Sequence, residues 1–130
     1  MGDEADPELV EFASMLFGLA RAGATERLAA YIDAGVAPDL ANHRGDSLVM
    51  LAAYHGHAET VAALLQRGAD PDRSNDRGQT PLAGAVFKGE AEVIRVLVAG
   101  GADPRAGEPS ALATAAIFER ADLSELLRGA

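Results

Sequence analysis

Three histidines, His43, His55 and His57, are the residues of this 130-residue sequence best suited to hold a transition metal. His55 and His57 stand two apart, and residues two apart on a helix point in different directions. No carboxylate sits at a matching helical offset, so a tetrahedral site has too few ligands on one face. A structural role is expected for them, and no metal. The run Asp70-Pro71-Asp72, followed by Ser74 and Asp76, spaces oxygen donors as a calcium loop does. Asn75 stands where that loop turns on glycine, and Pro81 where it closes with a bidentate glutamate. These acids are therefore expected to be solvated loop residues. The absence of cysteine removes thiol catalysis, cysteine-bound zinc and disulfides. Neither the phosphate-cradling G-x-x-x-x-G-K-[ST] nor the nucleophile turn G-x-S-x-G occurs. No nucleophile, base and metal set converges, so the expectation is a protein that is not an enzyme and carries no cofactor.

Charge narrows the partners. Twenty acids against 11 bases give a net charge of −9. Asp3, Glu4, Asp6, Glu8 and Glu11 place five acids and no base in the first eleven residues, and the remainder carries only −4. Residues 1–8 read as an acidic, flexible leader. Nucleic acid is excluded as a partner, because phosphate neutralisation needs a basic face. No apolar run approaches the roughly 18 residues of a membrane span. The start lacks the basic region of a secretory signal, and a cysteine-free chain suits the cytoplasm, the expected location. One lysine against ten arginines points to a GC-rich bacterial genome.

Candidate binding residues must be positioned by something, and the sequence names it by repeating. Gly23, Gly56 and Gly89 recur every 33 residues, as do Gly35, Gly68 and Gly101. The aliphatic positions Tyr31-Ile32, Leu64-Leu65 and Leu97-Val98 keep the same step. Agreement of several residue types at one such period means stacked repeats. Residues 9–130 form a single domain divided at about 9–41, 42–74, 75–107 and 108–130. In the third block Thr80 is a good helix N-cap with Pro81 at the first helical position, and Ser47 and Ser110 fill the same slot. Leu82, Ala85 and Val86 recur at helical spacing until Gly89. Val93, Ile94, Leu97 and Val98 line one side of a second helix ended by Gly100-Gly101. One such hairpin cannot bury its apolar face alone, whereas stacked hairpins share a core.

The block NDRGQTPLAGAVFKGEAEVIRVLVAGGADPR, residues 75–105, and the preceding NHRGDSLVMLAAYHGHAETVAALLQRGADPDR resemble the ankyrin repeat. Residues 9–40 keep its inner turn, second helix and Gly35 loop. SALATAAIFERADLSELL in the last block matches with a shortened connection before it and one residue fewer at its inner turn. The resemblance implies an all-α solenoid of four helix-turn-helix repeats with short hairpin-like loops. It also implies a non-catalytic adaptor or regulatory subunit that binds a protein on its concave face. The histidine that normally ties neighbouring repeats is replaced by Phe17, Met50, Ala83 and Ala113, so cohesion is expected to lean on apolar contact.

On the concave face of such a stack, the pair preceding each turn glycine is free of packing duty. Those pairs read Arg21-Ala22, Tyr54-His55, Phe87-Lys88 and, in the last block, Ile117-Phe118. Arg44 and Asp46 from one hairpin tip and Arg77 and Gln79 from the next complete the expected partner-binding set. Aromatic and arginine residues in a concavity have the composition of interface hot spots. The competing expectation is that Phe87 and Phe118 pack on the neighbouring helix. The first helix is unusually apolar, with Val10, Phe12, Met15, Leu16, Phe17 and Leu19. A homodimer, or a larger homo-oligomer, paired through it is the alternative to the adaptor.

Overall fold

The computed structural model describes residues 6–129. Eight helices follow in chain order: α1 (Pro7–Ala22), α2 (Thr25–Asp33), α3 (Leu48–Tyr54), α4 (Ala58–Gln66), α5 (Pro81–Lys88), α6 (Ala91–Ala99), α7 (Ala111–Ile117) and α8 (Ala121–Leu127). No strand occurs among the described residues beyond two isolated bridges, Ala41 with Ser47 and Gly107 with Ser110. The odd-numbered helices pack side by side as an inner layer and the even-numbered ones as an outer layer. Each repeat contributes one helix to each layer. The fold is the expected solenoid of four hairpins.

Local chemistry starts the inner helices where the sequence places the caps. Ser47 Oγ accepts the Met50 N–H at 3.1 Å, Thr80 Oγ1 that of Ala83 at 3.2 Å, and Ser110 Oγ that of Ala113 at 3.1 Å. Asp6 does the same for α1, accepting from Glu8 at 2.9 Å. The first helix therefore begins at Pro7, so residues 7 and 8, expected in the leader, are helical. Residues 1–5 of that leader lie outside the described residues.

The core runs the length of the stack. Ala52, Ala53, Ala85, Ala111 and Ala115 are fully buried between inner helices, where a small side chain permits close approach. Leu28, Val61, Leu64, Val93, Ile94, Leu97 and Leu123 fill the space between layers. No buried side-chain polar atom among the described residues lacks a hydrogen-bond partner. The buried Thr60 hydroxyl, for one, meets that of Thr25 at 2.7 Å across the outer layer.

Three expectations are corrected. Cohesion between repeats is polar as well as apolar, through residues that the missing histidines do not involve. The Asp39 carboxylate accepts the Asp70 N–H at 2.7 Å, and the Asp72 carboxylate accepts the Asp103 N–H at 2.7 Å. Asp72 is thus a rung between loops rather than a merely solvated acid. His57 Nε2–H donates to the Arg21 carbonyl at 2.7 Å, and its ring lies against Gly23. The last repeat, in turn, has no residue missing at its inner turn. Glu119, at φ 54°, takes the place that Gly23, Gly56 and Gly89 hold in the other repeats. The shortfall lies in α8, with 7 residues where α4 and α6 have 9.

Candidate protein-binding groove

The inner helices are short and apolar: LVMLAAY in α3, PLAGAVFK in α5 and ALATAAI in α7. One side of each is spent on the core, and the C-terminal turn of each opens toward solvent. There the stack places Tyr54, Phe87, Ile117 and Phe118, which are 39%, 58%, 65% and 54% exposed. Burial of the rings in the interior would have removed this face, and they are not buried.

Side chains on this face lean toward the preceding repeat. Lys88 Nζ lies 4.9 Å from the centre of the Tyr54 ring, within range of a cation–π attraction. Phe118 meets Phe87 edge to face with ring centres 5.6 Å apart. His55 packs its ring edgewise against Tyr54 at 5.8 Å. Packing and exposure therefore coexist: Phe87 and Phe118 touch each other, yet more than half of each remains open.

Two connected hollows result. One, of about 390 Å³, lies between α3, α5 and α7 and is bounded by Met50, Tyr54, Phe87, Ile117 and Phe118. Ala83 and Gly84 form part of its floor, and short side chains there leave the space unfilled. The other, of about 520 Å³, lies between the hairpin tips and is bounded by Arg44, Asp46, Asp76, Arg77 and Gln79. Met50, Tyr54 and Gln79 border both, so the groove is continuous from tips to helix ends. Of the ten residues expected from the sequence, the structure brings eight onto the walls of these hollows. His55 and Lys88 stand at the edge, beside Tyr54.

The tips are organised by two asparagines that sequence reading passed over. Asn42 Oδ1 accepts the N–H groups of Arg44 and Asp46 at 2.9 and 3.0 Å, and Asn75 Oδ1 those of Arg77 and Gln79 at the same distances. Asn75 Nδ2 donates to the Asp46 carboxylate and to Gln79 Oε1, each at 2.8 Å. Asp76 N–H donates to the Arg44 carbonyl at 3.0 Å. Asp46 and Gln79 are thus partly engaged within the tips. A signal for the asparagines existed in their 33-residue spacing directly ahead of the tip residues.

His55 is held more neutral than an ordinary imidazole. Partial removal from water is the first cause, followed by repulsion from His57, Arg21 and Lys88. His55 and His57 face different neighbours, the Tyr54 ring and the Arg21 carbonyl. Among the described residues no cluster of three or more His, Asp or Glu side chains is placed to hold a metal. None of the described helices is long and apolar enough to cross a membrane.

Comparison with known proteins agrees with this geometry. Residues 16–108 match the family profile for ankyrin repeats in three copies, which is well over half of the chain. A curated Pseudomonas aeruginosa protein named for its ankyrin repeats is 54% identical over 54 residues, which cover 42% of this chain and 32% of that protein. The aligned stretch is thus about a third of the relative's length. With the profile match, the two-layered stack and the 33-residue period in agreement, the chain belongs to the ankyrin-repeat family.

Proposed function

We propose that this protein is a non-catalytic adaptor or regulatory subunit that grips a protein partner in the groove, with Tyr54, Phe87, Ile117 and Phe118 as anchors. Ankyrin repeats are generally protein–protein interaction modules, though a fold alone does not fix function. The observation that carries the reading is that four large apolar side chains, adjacent across three repeats, stay open in a hollow. Aromatic anchors in a concave site supply most of the energy of many interfaces. Arg44 and Arg77 at the tips and Lys88 at the edge would set orientation. The cytoplasm is the compartment proposed for this activity.

The test is affinity capture from a bacterial lysate with the wild-type protein and with the Tyr54→Ala/Phe87→Ala variant, bound proteins being quantified by mass spectrometry. A partner retained by the first and lost by the second, with the melting temperature unchanged, supports the reading. Equal retention sinks it. If the double variant unfolds, Ile117→Asp on the most exposed of the four answers the same question.

A homo-oligomer is the second reading, favoured by α1, where Leu9, Val10 and Phe12 are 65%, 49% and 38% exposed. A monomer by light scattering at micromolar concentration would remove it.

A further inference from the structure

We infer that the groove accepts an acidic peptide segment bearing an aromatic or leucine anchor, the anchor in the hollow walled by Tyr54, Phe87, Ile117 and Phe118 and its carboxylates over the hairpin tips. This rests on the groove being the binding surface and concerns what fills it.

The chain carries −9 in total, yet its groove does not share that excess. Lys88 is the only charged residue in α3, α5 and α7, the helices that form the floor. At the tips the two signs are used differently. Asp46 spends a carboxylate oxygen on Asn75 Nδ2, whereas Asp76 stays exposed with its carboxylate beside Gly45 of the neighbouring hairpin. Arg44 and Arg77 are exposed, and among the described residues neither guanidinium has a hydrogen-bond or ion-pair partner. The ion pairs that do form, Arg67 with Asp33, Arg95 with Glu92 and Arg120 with Asp122, lie along the outer layer. The tips therefore present two unpaired fork-shaped donors beside one engaged acid, Asp46, and one exposed acid, Asp76, and the free guanidinium groups suit bidentate capture of carboxylates.

A second cationic group, the Lys88 ammonium, extends the pattern along the edge of the groove. Lys88 rests on the Tyr54 ring, which fixes its ammonium beside the hollow while leaving N–H donors for a ligand. Glu108 at the third tip and Glu119 beyond Phe118 carry the opposing charge at the far end. This polarity sets the direction of the segment: acids over the first two tips, anchor toward the last repeat. The hollow of about 390 Å³ has room for one large side chain, and its walls are mainly carbon.

A phage-displayed random dodecapeptide library, selected on the immobilised protein and counter-selected on the Tyr54→Ala/Phe87→Ala variant, tests this. Expected survivors pair two or more acids with a nearby aromatic residue or leucine. A synthetic survivor, followed by fluorescence anisotropy, should lose about tenfold in affinity on Arg44→Glu/Arg77→Glu and weaken as salt rises. Survivors that are basic or uncharged, or an affinity indifferent to charge reversal, overturn the inference and leave the groove reading standing. If no peptide distinguishes the wild type from the groove variant, the groove reading itself falls, and the inference with it.

Discussion

Gly23 and Gly89 end α1 and α5 with the same backbone, φ 72° and ψ 29°, yet their surroundings differ. A methyl group on Gly89 would come no closer than 3.4 Å to Arg120, the end of a flexible side chain. On Gly23 it would lie 2.5 Å from His57 Nδ1, so the ring must move and release the Arg21 carbonyl. Gly89→Ala should therefore cost about 1 kcal/mol, the penalty for an L side chain in the left-handed region. Gly23→Ala adds the loss of a hydrogen bond, about 1 kcal/mol, and of ring packing, for a total of about 2–3 kcal/mol. Any change in the entropy of the unfolded chain is shared by both variants and cancels in the comparison. Urea unfolding, read from the midpoint at constant slope, measures each. A third arm isolates the cause: in a His57→Ala background, Gly23→Ala should return to about 1 kcal/mol, a coupling of at least about 1 kcal/mol. Equal costs at the two glycines, or no relief in the His57→Ala background, would refute the assignment of His57 as a tie between repeats.

Gly84 lies inside α5 without a left-handed backbone, and an added methyl would meet Tyr54 and Met50 at 3.6 and 3.7 Å, ordinary contact distances. Gly84→Ala should thus stabilise the fold by about 0.5–1 kcal/mol, read as a raised melting temperature. A lowered melting temperature would mean the floor of the groove is tighter than described. Asp72→Ala removes the acceptor of the Asp103 N–H and should destabilise by about 1 kcal/mol. Amide exchange should speed up at Asp103 and stay unchanged at Asp70, whose own acceptor is Asp39. Unaltered exchange at Asp103 would count against the rung.

Much of the architecture is legible in the residues because each local cue agrees with the period. Ser47, Thr80 and Ser110 cap the three later inner helices, and Tyr54, Phe87 and Ile117 fall at the ends of those helices. What escapes is the direction in which long side chains lean. Nothing in one sequence states that Lys88 rests on Tyr54 or that Phe118 reaches back to Phe87, because that depends on rotamers chosen after stacking. The roles of Asp39 and Asp72 escape for a related reason. A loop carboxylate looks solvated until the neighbouring repeat brings an unpaired N–H to it, and only the stacked fold shows which N–H that is. Glu119 misleads in the opposite sense: a glutamate in a turn slot reads as a deletion when the backbone simply tolerates the strain.

The Asp39 and Asp72 rungs run in one sense, each loop lending an oxygen to the loop that follows. At the next position in that series stands Arg105, whose side chain has donors only. Lengthening the stack by duplicating residues 42–74 would carry the series through unbroken, since the copied segment brings both an N–H and a fresh carboxylate. Copying residues 75–107 would leave the inserted loop facing a guanidinium, and the array would part most readily at that seam.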